Sequence, residues 1–289
     1  MRVGITILPE ERWPQAAPKW RAAEQLGFDH AWTYDHLVWA GLPDAPWFGT
    51  TPTLTAAAMV TSTIRLGTFV TSPNFRHPVA FARDVLALDD ISGGRFICGM
   101  GRGGDLDSEL LGDSPTVGER TGRFAEFARL LDKVLTEDHV TYDGTFFSAR
   151  DSRNVPGCVQ QPRVPFIIAA NAPKGMRLAA EMGEGWVTYG NPTGGEEDWW
   201  RGLRESGARM TEVLEAAGRD TTTFERHLNA DGHGSVYESV DRFEDAIGRA
   251  QEAGFTDLIT HWPRPDAPFK ATVEVLETVA AQVLPKLHR

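Results

Sequence analysis

One junction recurs along this chain and limits the folds open to it: a helical stretch ends in Gly, an aromatic or acidic residue follows, and an apolar run begins. It reads Leu26-Gly27-Phe28-Asp29 ahead of Ala31-Trp32, Met182-Gly183-Glu184-Gly185 ahead of Trp186-Val187, and Ala253-Gly254-Phe255-Thr256-Asp257 ahead of Leu258-Ile259, with Ser92-Gly93-Gly94 before Arg95-Phe96 as a variant. Gly closes a helix in the left-handed region at no steric cost, and the apolar residue behind it packs on the last turn. Each junction therefore reads as a helix stop followed by a strand start.

Apolar runs with strand character lie at 3–8, 30–34, 64–70, 96–100, 166–169, 186–189, 225–230 and 258–260. Most are continuous rather than alternating, as strands covered on both faces are. Between them the spacing turns helical: Phe81, Val85, Leu88 and Ile91, then Phe124, Phe127, Leu130, Leu131, Val134 and Leu135. Further helices are expected over 173–182, 197–217, 239–253 and 270–283. His77-Pro78 suits a helix start, because Pro at the first helical position loses no hydrogen bond. The fold class is α/β, a (β/α)8 barrel of parallel strands; 289 residues fit one such domain over 1–289, with loop insertions at the face holding the strand C-termini. Two connections exceed plain turns: 102–118, and 140–165 with a hairpin pairing 140–142 with 146–147.

The net charge of −11 argues against nucleic acid, which demands clustered Lys and Arg. Cys98 and Cys158 are far apart and lack metal-ligand spacing. The chain opens on a strand rather than a signal peptide, and no apolar stretch nears the roughly 20 residues that span a bilayer. The expectation is a cytoplasmic protein acting on a small molecule, with neither membrane nor nucleic-acid partner.

In a parallel barrel the chemistry sits where the strands end. There the sequence places Asp35, His36 and Trp39 after the second run, Thr71-Ser72-Pro73-Asn74-Phe75-Arg76-His77 after the third, Gly101-Arg102-Gly103-Gly104-Asp105 after the fourth, Ala170-Asn171-Ala172-Pro173-Lys174-Gly175 after the fifth, and His261-Trp262 after the eighth. Aromatic and Gly-rich, such a mouth suits a broad flat ring. The segment 170–175 opens a helix whose unpaired amides, beside Lys174, attract anions. An imidazole such as His36 can give or take a proton near neutrality, its ordinary pKa being about 6.5. His139 and His288 read as surface residues, and His261 stays open as a second candidate. No GxGxxG with a downstream acid and no P-loop is present, nor a His-X-His pair or carboxylate cluster for a metal.

With these residues in place the chain resembles the luciferase-like monooxygenase superfamily, in its branch using the deazaflavin coenzyme F420. The likeness is carried by Leu26-Gly27-Phe28-Asp29 leading to Tyr34-Asp35-His36, Leu66-Gly67-Thr68-Phe69-Val70 with Pro73 and Arg76-His77-Pro78, Leu88 to Phe96, and Ala169-Ala170-Asn171-Ala172-Pro173 with Leu178-Ala179-Ala180. The resemblance implies a homodimeric barrel with the ring over its mouth, Asp35 touching the ring system, and His36 beside the reactive carbon. Trp39 resembles the indole that packs near substrate and ring in that branch's sugar-phosphate dehydrogenases. Phe69-Val70 aligns with a non-proline cis peptide behind the ring; Ser72 and Gly101 fall among the cofactor contacts, and 170–175 would hold the phosphate-bearing tail. Those dehydrogenases carry a catalytic Glu after the fourth-strand glycines, where this chain offers Asp105, or Glu109, as the substitute. The implied activity is hydride transfer between F420 and a small organic substrate. Its rivals are an FMN-dependent monooxygenase and a non-catalytic flavin binder whose mouth Trp47, Phe48, Phe75 and Trp262 would fill.

Overall fold

The computed structural model describes residues 1–287; His288 lies outside them. Eight strands form a closed barrel: β1 (Arg2–Thr6), β2 (His30–Thr33), β3 (Arg65–Thr68), β4 (Phe96–Met100), β7 (Phe166–Ala169), β8 (Gly185–Thr188), β9 (Glu225–Asn229) and β10 (Asp257–His261). Around the ring they run β1-β10-β9-β8-β7-β4-β3-β2. Registers such as Val3 on Leu258, Ile5 on Ala31 and Ile168 on Trp186 are parallel. All eight expected strands are present. Their side chains are buried along most of each strand, which is why the runs do not alternate.

The helix stops follow the junction chemistry in two of the three full examples. Gly27 and Gly254 hold φ of 87° and 81°, where a Cβ would be strained. Gly183 instead caps its helix in an extended conformation, φ −94°, so there the chain turns without a left-handed residue. The helix α3 (Pro78–Ser92) starts as expected, with Pro78 in its first turn and His77 Nδ1 accepting the Val79 amide. Its Ile91 is 39% exposed rather than core. Thr116 and Glu119 close a reciprocal capping box on α5 (Val117–Thr136), a signature visible in the sequence as Thr-x-x-Glu.

The hairpin differs from expectation in register. Its strands are β5 (Val140–Asp143) and β6 (Ser148–Ser152). Phe146 and Phe147 belong to the turn, because the Glu126 carboxylate on α5 collects the amides of Thr145, Phe146 and Phe147 at 2.8–3.1 Å. The rest of the long connection is pinned by buried Asp89, which accepts from the Val159 and Gln160 amides and from Gln160 Nε2.

The chain packs as two compact units: one of Met1–Leu8, Pro18–Trp32 and the described residues from Ile167 onward, the other of Pro9–Ala17 and Thr33–Phe166. Both cysteines are free and buried. Among the described residues no helix is long and apolar enough to cross a membrane.

Candidate active site

In the second unit the segments that follow β2, β3 and β4 build a cluster around His36. Asp35 is 1% exposed and fully committed: Arg76 reaches it with Nε and Nη2 at 2.6 and 2.7 Å, and Thr71 Oγ1 donates at 2.7 Å. Burial alone would lower the Arg76 pKa, but the hydrogen bonds and charge of Asp35 outweigh it and raise the value. Removing either partner strands a buried charge, at a cost of about 3–5 kcal/mol. The Asp35 carboxylate, expected to touch a ring system, clamps the segment after β3 to the end of β2.

That clamp sets up the next residue. His36 Nδ1 lies 2.7 Å from Asp107 Oδ2, and the Leu37 amide donates to Asp107 Oδ1 at 2.7 Å. A carboxylate accepts, so Nδ1 carries the hydrogen and Nε2 is left to exchange a proton. Asp107 is 2% exposed and stands on a short helix, α4 (Leu106–Leu110), inside the connection expected to be a loop. The expected acid, Asp105, is not at the imidazole. Its side chain is 63% exposed and paired with the Arg120 guanidinium. Glu109, one turn along α4 from Asp105, is exposed too, whereas Asp107 and Ser108 face inward.

An aromatic wall stands beside the dyad. Tyr34 meets Trp39 edge-on at 5.1 Å between centroids, Phe69 at 6.0 Å and His36 at 6.1 Å. Trp47 joins from further along the β2–α2 loop, 6.2 Å from Trp39, where α2 spans Thr50–Val60. Trp39 is half-buried between Tyr34 and Trp47. The Phe69-Val70 peptide is cis.

On the β3 and β4 side the backbone comes close enough to leave no room for a side chain. A Cβ on Gly103, whose φ is 73°, would stand 2.5 Å from Asn74 Nδ2 and 2.7 Å from Ser72 Oγ. Asn74 Nδ2 donates to the Gly104 carbonyl at 2.6 Å. Ser72 Oγ, Asn74 Oδ1 and Ser108 Oγ are buried without a hydrogen-bond partner. Buried polar atoms in native proteins are normally paired, so these orphans, one of them next to Asp107 in the chain, point to a ligand or water. Gly101, also buried, gives its amide to the Thr71 carbonyl at 2.8 Å.

In the first unit, 170–175 form the start of α6 (Pro173–Met182) as expected. Asn171, Ala172, Pro173 and Lys174 are exposed, and Ala172 caps the helix with no side-chain bond, leaving its first amides open. Asn171 is held by Thr188 Oγ1 at 2.5 Å and by the Gly190 carbonyl at 3.1 Å, and the Ala170 carbonyl by Trp186 Nε1 at 2.6 Å. Gly175 packs against Ala170, which a Cβ there would approach to 2.8 Å. His261 makes its own dyad, Nδ1 to Asp231 Oδ2 at 2.7 Å, beneath Phe269 stacked at 3.6 Å.

The first unit also gathers three groups of metal-ligand type that the sequence spacing did not signal: His30, His227 and Asp257, all buried. Trp32 Nε1 donates to His30 Nδ1 at 2.6 Å, so the neutral ring carries its hydrogen on Nε2, 3.0 Å from Asp257 Oδ1. Arg2 grips both Asp257 oxygens at 2.7 and 2.8 Å. His227 Nε2 lies 3.0 Å from Glu225 Oε2, and its Nδ1 is buried without a hydrogen-bond partner.

The luciferase-like monooxygenase profile matches residues 1–231. The chain belongs to the luciferase-like monooxygenase family. Within relatives of this luciferase-like chain, an F420-dependent glucose-6-phosphate dehydrogenase from Beutenbergia cavernae is 36% identical over 178 residues, 57% of this chain and 49% of that protein. A 5,10-methylenetetrahydromethanopterin reductase from Methanopyrus kandleri is 29% identical over 230 residues, 74% of this chain and 64% of that one. The chain thus spans about half to two thirds of the length of these curated relatives. Among solved structures, the coenzyme F420 dependent tetrahydromethanopterin reductase from Methanopyrus kandleri superimposes with a TM-score of 0.80 over 99% of both chains at 20% identity, a likeness of fold.

Proposed function

We propose that this luciferase-like protein is an oxidoreductase that moves a hydride between coenzyme F420 and a small organic substrate. The observation that carries the reading is the His36–Asp107 dyad beside the Tyr34 ring, in a unit that also holds buried polar atoms without partners. A deazaflavin ring has flat apolar faces and a polar edge, and this surround offers both: Tyr34, Trp39 and Phe69 for a face, Ser72, Asn74 and the bare backbone of Gly103 for an edge. The names of the relatives support F420 over FMN.

When bound, F420 supplies the carbon that gives or receives the hydride. The protein does the rest. Asp107 fixes the imidazole ring plane and tautomer, and His36 Nε2 holds or delivers the proton at the substrate heteroatom that gains or loses it. Arg76, Asp35 and Thr71 keep the segments that carry these groups in register. The cis Phe69-Val70 segment and Gly101 would line the ring. In the other unit the unpaired amides of Lys174 and Gly175, in the first turn of α6, offer by themselves a helix N-terminus suited to an anion. Residues 1–289 act together as one cytoplasmic domain and pair as a homodimer, and the net charge of −11 supports a small-molecule partner over nucleic acid.

Titration of the purified protein with F420 and, separately, with FMN tests the assignment by cofactor fluorescence. Micromolar or tighter F420 binding with weak FMN binding is expected. The reverse preference would make it an FMN enzyme, and binding of neither would end the reading.

A further inference from the structure

We propose that the loop between β2 and α2 is the substrate selector of this site and that it selects an uncharged ketone, or the matching alcohol, with an aryl or alkyl flank whose oxygen accepts the Trp47 indole hydrogen. The inference rests on the oxidoreductase reading above and names its substrate class.

Three observations converge within one unit of the molecule. The Trp47 Nε1 hydrogen is buried and has no acceptor. Two other indoles, Trp20 and Trp200, share that lack, but they are 0% and 2% exposed in the core. Trp47 is half-buried, and its ring stands 6.2 Å from Trp39 and 6.5 Å from Tyr34, itself 6.1 Å from His36. A donor held in such a wall has its acceptor on a ligand or water.

The wall is also apolar outward and rigid inward. Leu37 and Phe48, in the same loop, are 38% and 41% exposed, more apolar surface than a solvent-facing loop needs. Trp39 folds back onto Gly41, leaving no space for a Cβ there, and the Leu42 amide closes the turn on the Trp39 carbonyl at 2.9 Å.

Cations near the dyad are committed elsewhere. Arg76 is bound to Asp35 and Arg123 to Asp113; Arg120 faces the Asp105 carboxylate, with its Nε left without a partner. Arg102 is exposed, and its charge falls on Arg120. A phosphate or carboxylate entering this wall would lose its water and gain no cation, whereas a carbonyl oxygen needs only one donor. In the reductive direction the C=O π bond breaks as the carbon gains a hydride from reduced F420 and the oxygen gains a proton through His36; the alcohol and oxidised F420 result.

The experiment uses three probes of one shape: acetophenone, 4-acetylbenzoate and 4-acetylphenyl phosphate. Their affinities for the complex with oxidised F420 are read from cofactor fluorescence, and KM and kcat from turnover with reduced F420. Acetophenone should bind roughly 100-fold tighter than either charged analogue. Trp47→Phe keeps the aromatic surface and should weaken acetophenone about tenfold, as loss of one hydrogen bond does, in KM rather than kcat and with F420 affinity unchanged. Equal binding of the charged analogues, or an unchanged acetophenone affinity in Trp47→Phe, overturns the selector while F420 binding keeps the oxidoreductase reading. A protein that does not bind F420 overturns both.

Discussion

His36 lies just beyond β2 and His261 is the last residue of β10, and the two imidazoles make like bonds. Each gives Nδ1 to an aspartate oxygen at 2.7 Å, and each aspartate also binds a backbone amide, Leu37 in one case and Val236 in the other. Their surroundings differ. The His36 side chain is 21% exposed and opens on an aromatic wall with orphaned polar neighbours, while the His261 side chain is 1% exposed beneath Phe269 and between buried partners. A His–Asp pair is therefore not a catalytic signature by itself. Access for a second molecule decides whether the imidazole's other nitrogen does chemistry or only packing.

That contrast can be broken by experiment. His36→Ala should lower turnover by about 10²–10⁴-fold, the usual worth of a positioned acid or base, with F420 affinity retained; full activity in steady-state assays would remove His36 from the reaction. Asp107→Asn should keep the fold but misorient the imidazole, costing roughly 10²-fold in kcat. Rescue by Asp107→Glu, even in part, would mark a positioning role.

His261→Ala should do the opposite of His36→Ala. Turnover should stay within about threefold, while urea unfolding shows a loss of about 1–3 kcal/mol as the buried Asp231 loses a partner. A large fall in kcat would erase the distinction between the two dyads.

A third pair, His30 with Asp257, sharpens the structural end of the series. Burial would raise the Asp257 pKa, but His227, His30 and Arg2 together pull it well below the ordinary carboxylate range. A depressed folded-state pKa stabilises the protein above the unfolded Asp value and is lost as pH falls through the folded one. Unfolding free energy should therefore drop below about pH 4, and Asp257→Asn should flatten that slope while lowering stability at pH 7.

The strand count, the parallel order and most helix limits were legible because burial on both faces leaves continuous apolar runs and because Gly and Pro punctuate the ends. Asp35, His36 and Trp39 were legible as a constellation from their place behind a buried strand. Asp107 was not. It lies in an Asp-x-Asp-x-Glu run, and only the formation of α4 turns Asp107 inward while Asp105 and Glu109 share the outer face. A five-residue helix has no periodicity to read. Arg76 was visible as part of a motif, but its grip on Asp35 joins residues 41 apart and needed coordinates. The hairpin register failed for a similar reason, since a carboxylate on a distant helix fixes the turn.

One carboxylate, Asp107, holds both the His36 ring and the Leu37 amide from a helix too short to persist in isolation. The imidazole's orientation and the ordering of the 102–116 connection are thus a single thermodynamic event. Anything that frays that turn, whether heat, denaturant or a nearby substitution, switches off proton handling before the barrel itself loosens, so catalytic competence is an early gauge of local melting.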